Sequence, residues 1–350
     1  MRHLVRASLR RIRAALSREL LSDAAIHDVR TQIKQARAAL RLLRPEIGRR
    51  QYARADRLLR HAARPLAEVR DAGVLLDVLG QLAARPAAAG VREAGSSALC
   101  RALQLDHREA RRRLARSCAL ESHASAMGRL LRHSSAWPAR NDWPALLRGV
   151  ERSYRRARRA CARARVQGTP ANMHAWRKQT KYLWYQLHLL GLEISPVRAV
   201  HTTALRKLSE LLGDDHDLAL LRARIVRQPG LVPDPAAREA LLGLIDRRSR
   251  QLERRALKLG ATIHRHGLRL RIAGHHGNPG TVPSTAIRIA AQPLRPLRMA
   301  SRSDARPGWC HGHGSGRPRG GNRSSHRRGG GGPRIGDRHP VRRRPPAGHS

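Results

Sequence analysis

Ten side chains suited to capturing an anion sit in two short stretches of the chain. In residues 26–44, IHDVRTQIKQARAALRLLR, the residues His27, Arg30, Lys34, Arg37, Arg41 and Arg44 recur at alternating steps of three and four. An α-helix gathers such positions into one stripe, with successive charges roughly 5 Å apart along its axis. A single phosphate does not need a row of that length, but a linear polyanion does. The chemistry on offer is electrostatic capture. No general acid–base pair, nucleophile elbow or phosphate-cradling glycine loop accompanies the stripe. It also holds no carboxylates with which to fix a divalent metal. No catalytic residue, metal ligand or cofactor is therefore assigned.

The helix that positions these cations carries a second stripe. Ile26, Val29, Ile33, Ala36, Leu40 and Leu43 each stand one place earlier, about 100° round the same helix, so one face can be buried while the other meets solvent or an anion. Between Arg30 and Arg44 no Asp or Glu occupies an i+4 position, which weakens the plainer reading of a salt-bridged, solvated face. His27 stands in the first turn, and an ordinary imidazole there gains charge only on acidification through about pH 6.5.

The pattern occurs twice. At an offset of 147 residues, MHAWRKQTKYLWYQLHLL (residues 173–190) places His174, Arg177 and Lys181 on His27, Arg30 and Lys34, with Lys178 beside them. The apolar stripe returns as Met173, Trp176, Thr180, Leu183, Leu187 and Leu190. VRDAGVLL (residues 69–76) then matches DHDLALL (residues 215–221), setting Asp71 opposite Asp217 at an offset of 146. Two blocks in the same order at nearly one offset indicate a tandem duplication. The helix that follows the first stripe adds Arg57 and Arg64, and its counterpart adds Arg206 and Lys207, as further candidates for the same groove.

Composition agrees with a polyanionic partner. The chain has 350 residues, 71 Lys and Arg against 25 Asp and Glu, and a net charge of +46. Such a field lies far outside that of an ordinary soluble enzyme and implies a polyanion or a self-repelling surface. Nearly all of the charge is Arg, whose planar fork suits phosphate oxygens. Phe is absent, so the core must come from Leu, Ala, Val and Ile, which favours close-packed helices. From Leu4 to about Leu270 the pattern is helical, with breaks expected at Pro45, Pro86, Pro138, Pro144, Pro170, Pro196 and Pro233 to Pro235. The four cysteines form no close pair of the zinc or redox kind. Arg6, Arg10, Arg11, Arg13 and Arg18 interrupt the N-terminal apolar residues, so neither signal peptide nor membrane span is expected, and the chain reads as cytoplasmic.

The motif His-x-x-Arg-x-x-x-Lys-x-x-Arg, repeated as His-x-x-Arg-Lys-x-x-Lys with Tyr185 eleven places after His174, resembles the CHAD family, the conserved histidine α-helical domain. The resemblance covers roughly residues 1–268. It implies an all-α fold of two pseudo-symmetric four-helix bundles, repeat one about 1–135 and repeat two about 140–268, forming a basic groove for inorganic polyphosphate. Carried onto this sequence, it implies polyphosphate contact by His27, Arg30, Lys34 and Arg37, and by His174, Arg177, Lys178 and Lys181. The stripe itself adds Arg41. Trp184 stands where the family often has Arg, so the second stripe is shorter. The resemblance further implies non-catalytic binding, a place on polyphosphate granules, and room for a polyphosphate-metabolising enzyme as partner.

Other function classes remain open at this point. A nucleic-acid binder also needs Arg-rich helices, but single-strand binding usually employs exposed aromatic platforms, and the stripes offer only Trp184 and Tyr185. An enzyme acting on polyphosphate ends predicts metal-dependent phosphate release. The run Gly213-Asp214-Asp215-His216-Asp217 invites a metal, yet its counterpart in the first repeat is Arg70-Asp71 without a His, so the shared Asp reads as an orienting partner for arginine. Residues 269–350 change character. Residues 271–350 alone hold 16 Arg against two Asp and 15 of the 29 glycines, and they read as a disordered low-complexity tail. It is either an RNA-binding segment of RGG type or sequence from a shifted reading frame, and no site is assigned to it.

Overall fold

Ser22 opens the helix that carries the first stripe: its hydroxyl accepts the Ala25 amide at 3.2 Å, satisfying a donor that a first turn leaves free. The helix, α2 (Asp23–Ala63), buries all six of its apolar stripe positions. Pro45 lies inside it without ending it, so the break expected there is displaced. The bend falls at Gly48, whose φ of 76° lies in the left-handed region that glycine enters without a Cβ clash. Residues 49–63 continue as a second helical limb carrying Arg57.

The computed structural model describes residues 1–18, 21–84, 96–138, 143–190, 192–195, 200–265 and 269–272. The fold is all-α. Besides α2, the described residues form α1 (Arg2–Leu16), α3 (Pro65–Ala83), α4 (Ser96–Arg116), α5 (Ala119–His133), α6 (Trp143–Val166), α7 (Pro170–Leu190), α8 (Val200–Arg227) and α9 (Pro235–His264). Pro65, Pro170 and Pro235 each begin a helix, where the missing amide costs nothing. Pro144 sits in the first turn of α6 and Pro138 in the preceding loop, whereas Pro86 and Pro196 lie outside the described residues. One short ribbon departs from helix, pairing β1 (Leu192–Ser195) antiparallel with β2 (Arg269–Ile272). The boundary expected for a structureless tail, residue 269, falls within that ribbon. The rest of the expected tail, residues 273–350, lies outside the described residues.

All described residues belong to one packing unit, Met1–His311, and the second unit, Gly312–Ser350, lies outside them. Within the first unit α1 packs on α2 and α5, and α3 on α4, while α6, α7, α8 and α9 pack in succession. The crossings that matter join the two stretches of the duplication: α2 meets α7, and α3 meets α8. At the first crossing the buried Gln186 amide donates to the Ala38 carbonyl at 3.2 Å. Both apolar stripes are fully consumed, since Met173, Trp176, Thr180, Leu183, Leu187 and Leu190 are buried as well. Among the described residues no helix is long and apolar enough to cross a membrane.

Close approach sets the far side of α7. A Cβ built on Gly260 of α9 would stand 2.5 Å from the Trp176 ring and 3.1 Å from the Cys161 sulfur. Gly260→Ala is therefore expected to destabilise the fold by about 1–3 kcal/mol, as overpacked cores do. At Gly243, on the same helix, an added Cβ meets only the flexible end of Arg247 at 3.4 Å. Gly243→Ala is expected to be neutral or to stabilise by up to about 1 kcal/mol, the helix-propensity difference. Thermal denaturation of the two variants beside wild type checks the contrast.

Candidate functional site

Because α2 and α7 bury their apolar stripes toward a shared core, their cationic stripes turn toward one another. Lys34 of α2 lies within electrostatic reach of Arg177 of α7, and His27 of α2 within reach of Lys181. Arg30 joins them, and α3 contributes Arg70, which acts on His27, Arg30, Lys34 and Lys181 alike. The helix α8 contributes His216 and Asp217. The result is a patch of five permanent or potential cations, Arg30, Lys34, Arg70, Arg177 and Lys181, drawn from three helices.

Few acids offset it. Asp71 reaches Arg30 at 3.7 Å and Asp77 reaches Arg70 at 3.6 Å. Asp217 faces Arg177, Lys181 and Arg70, which lower its carboxyl, while burial outweighs them and raises it from its usual value. The cations consequently strain against each other. Burial first, and then Arg30, Arg177 and Arg70, push the Lys34 ammonium down to about 7, with Asp217 opposing. Lys181 is lowered well below its usual range, by burial first and then by Arg177 and Lys34. Burial, with neighbouring cations behind it, also drops His27 and His216 to about 4. The protonation expected of His27 near pH 6.5 is thus displaced: burial first, and then the cations around the ring, keep it neutral into acid. The Nε of Arg177 is buried without a hydrogen-bond partner, a donor left for something else.

The two stretches match residue by residue. Arg30 pairs with Asp71 as Arg177 faces Asp217, and His27 senses Arg70 as the His174 ring packs 4.6 Å from that of His216. Arg70 was not among the site candidates: the sequence comparison shows it opposite His216, a different residue type, which hides its shared position.

Other candidates are placed elsewhere or otherwise employed. Arg37 is held by Asp56 at 2.8 Å, and Asp56 also takes Arg60 at 3.1 Å. The expectation of a stripe without acids is thereby corrected, because acids from outside residues 30–44 complete the pairs. At the position equivalent to Arg37 the second stretch has Trp184, which cannot form such a pair. Arg41 stacks on the Tyr182 ring at 3.8 Å, and the exposed Arg44 stands over Tyr52 at 5.4 Å. His174 and Lys178 are exposed beside the patch. Arg57 and Arg64 line an open cleft of about 520 Å³ with Arg60 and His61, a lining that includes none of the five central cations. Arg206 and Lys207 are exposed and both reach Glu210, at 3.7 and 3.6 Å.

The run from Gly213 to Asp217 is divided among different tasks. Asp215 accepts a short hydrogen bond from the Ser249 hydroxyl, His216 packs at a tilt against His174, and Asp217 faces the central cations. Among the described residues no group of three or more His, Cys, Asp or Glu is arranged to hold a metal ion.

A family model described as CHAD domain matches residues 3–226, well over half of the chain, and spans α1 to α8. Helix α9, which the sequence resemblance includes, lies beyond the matched range. No curated protein matches the chain.

The depressed imidazoles make a prediction about stability. His264 of α9, packed edge-on against Tyr154 with both ring nitrogens unpartnered, is lowered to about 4 as well, chiefly by burial. Unfolded imidazoles titrate near 6.5, so between about pH 6.5 and pH 4 the unfolded chain binds more protons than the folded one. The melting temperature is expected to fall steadily as pH is lowered through that window. His264→Leu should shallow the slope, and melts at intervals from pH 7 to pH 4 decide it.

Proposed function

The chain belongs to the CHAD family, and from that premise we propose that it binds inorganic polyphosphate, without catalysis, at the patch formed by Arg30, Lys34, Arg70, Arg177 and Lys181. One observation carries the reading: cations from two helices that cross, α2 and α7, are gathered with Arg70 of α3 into one half-buried patch, where burial first and the neighbouring arginines second lower the lysine ammonium groups. An empty site of that kind stores repulsion, and a polyanion threaded between the helices relieves it. In this reading the two repeats share one basic groove, as two related bundles would, and phosphate oxygens take the unpartnered Arg177 donor. Binding then proceeds by exchange of the polyanion's counterions for fixed guanidinium and ammonium groups.

Nucleic acid is the second choice. Trp184 and Tyr185, the aromatic residues nearest the second stripe, are 6% and 4% exposed and are poor stacking platforms for bases. The carboxylates near the patch are engaged with arginine, which supports binding over metal-dependent hydrolysis. A cytoplasmic setting and association with polyphosphate granules follow from this reading.

Binding of long-chain polyphosphate to the full chain, measured by fluorescence anisotropy at increasing salt, tests it. Affinity is expected to fall linearly on a log–log plot against salt. Arg30→Glu and Arg177→Glu should each weaken binding by roughly tenfold or more, in keeping with the worth of a charge-assisted contact. Arg156→Glu, on the exposed face of α6, should have little effect. If both central variants bind like wild type, the site is misplaced. If RNA displaces polyphosphate at equal phosphate concentration, the ligand class is wrong, and phosphate release on adding magnesium or manganese would remove the non-catalytic claim.

A further inference from the structure

A second row of cationic side chains lies outside the central patch. Arg57, Arg60, His61 and Arg64 recur on the second limb of α2 at the spacing that sets residues on one helical face. The other side of the limb is consumed by packing, where Ala55, Leu59, Ala62 and, at the start of α3, Leu66 are buried. All four members of the row are exposed, and together they line the open cleft of about 520 Å³. The cleft is built on ordered backbone. Arg64 joins α2 to α3 without a loop: its amide donates to the His61 carbonyl at 3.1 Å, and its carbonyl accepts the Ala67 amide at 2.9 Å. A hydrogen bond of 2.6 Å between Gln51 and His133 ties the same limb to α5.

The charge of the row is left largely uncompensated. Asp56 takes Arg60 at 3.1 Å, but the same carboxylate holds Arg37 at 2.8 Å and is shared between them. Among the described residues neither Arg57 nor Arg64 has an acidic partner. The lining offers guanidinium and imidazole groups, with no carboxylate to hold a metal and no aliphatic side chain to hold an apolar ligand. His61 is its one ring, too little for a nucleobase to stack between. What remains is an anion made of phosphate, since the arginine fork takes phosphate oxygens two at a time. Length narrows the choice further. The row runs from residue 57 to residue 64, two helical turns or roughly 10 Å, far shorter than the stripe from residue 27 to residue 44. A few linked phosphates fill it, whereas one orthophosphate satisfies only part of it.

We propose that the cleft lined by Arg57, Arg60, His61 and Arg64 is a second anion site, separate from the central patch, which holds a short run of linked phosphates. The run is a free oligophosphate or a segment of a longer chain whose remainder occupies the central patch. Asp56, held by Arg37 of the stripe and by Arg60 of the cleft, is the structural link between the two places.

Isothermal titration of the full chain with tripolyphosphate tests the site. The Arg30→Glu/Arg177→Glu variant, its central patch disabled, is expected still to bind tripolyphosphate, and adding Arg57→Glu/Arg64→Glu should weaken that binding by roughly tenfold or more. Orthophosphate should bind more weakly than tripolyphosphate. A measurement on the unaltered protein guards against misfolded variants: tripolyphosphate should slow modification of Arg57 and Arg64 by an arginine-directed dicarbonyl reagent, read by peptide mass spectrometry. Long-chain polyphosphate separates the two sources. Arg57→Glu/Arg64→Glu alone weakens its binding if one chain spans both places and leaves it unchanged if the cleft takes free oligophosphate, and either result keeps the site. Tripolyphosphate binding lost with Arg30→Glu/Arg177→Glu alone, orthophosphate bound equally well, or no protection of Arg57 and Arg64 would overturn the proposal and leave the central reading intact. Long-chain binding indifferent to Arg30→Glu and Arg177→Glu but abolished by Arg57→Glu/Arg64→Glu would instead remove the central reading and leave the cleft standing.

Discussion

Repulsion between cations that the fold will not let apart is the constraint on which the rest of this structure depends. Left to themselves, Lys34, Arg30, Arg177 and Lys181 would separate into solvent. What holds them is the apolar side of the same two helices: each carries six stripe positions, all buried, and a buried Leu, Ile or Met contributes about 1.5–3 kcal/mol. Register is fixed too, since a slip of one residue would expose the apolar row and bury the charged one. The Gln186 bond to the Ala38 carbonyl pins the crossing. Packing therefore wins, and burial, with the neighbouring cations behind it, lowers the proton affinity of His27, Lys34, Lys181 and His216.

Charge elsewhere in the molecule is spent differently. Arg2 and Arg6 of α1 donate to the carbonyls of Leu131, Ser135 and Trp137, where α5 ends and its last acceptors are free. Arg111 and His107 of α4 close on Asp23 at the start of α2, and Arg224 of α8 ties to Asp106 of α4. These arginines act as struts between helices. A count of cations overstates the binding surface for that reason: Arg37, with its Asp56, and Arg41, on Tyr182, belong to the struts although their spacing places them in the stripe.

The sequence makes local periodicity legible: every apolar stripe residue in both stretches is buried, and the inner cations of the two stretches lie within electrostatic reach of one another. What sequence spacing hides is any partner distant along the chain. Asp56, Asp71 and Tyr182 lie 19 or more residues from Arg37, Arg30 and Arg41, the stripe residues that they engage, so no i+4 rule reveals them. Arg70 stays invisible because the two stretches differ at that position. The expected end of α2 at Pro45 fails for a backbone reason: proline inside an early bend is tolerated when the chain can turn at Gly48 instead. The imidazole titration expected near pH 6.5 fails because it treats His27 as solvated, while burial and four cationic neighbours dominate.

The recurrence of the motif in the sequence accounts for like charges facing one another. When two copies of a motif pack about a shared crossing, each residue near the crossing meets its own equivalent, as at a self-complementary interface. A lysine on one copy thus finds a lysine on the other, and repulsion at the centre comes with no further substitution. The acids are duplicated as well, as Asp71 and Asp217, which keeps the repulsion below the level that would force the helices apart. Later differences then tilt the site. Arg70 opposes His216, so the first stretch presents one more permanent charge. The Arg37–Asp56 pair has no equivalent at Trp184, so the second stretch is more apolar just beyond its lysine. On the proposed reading, a polyanion lying along the crossing would meet an unequal pair of walls, and the two inner lysines, which both walls share, would be the place where its charge is felt from either side.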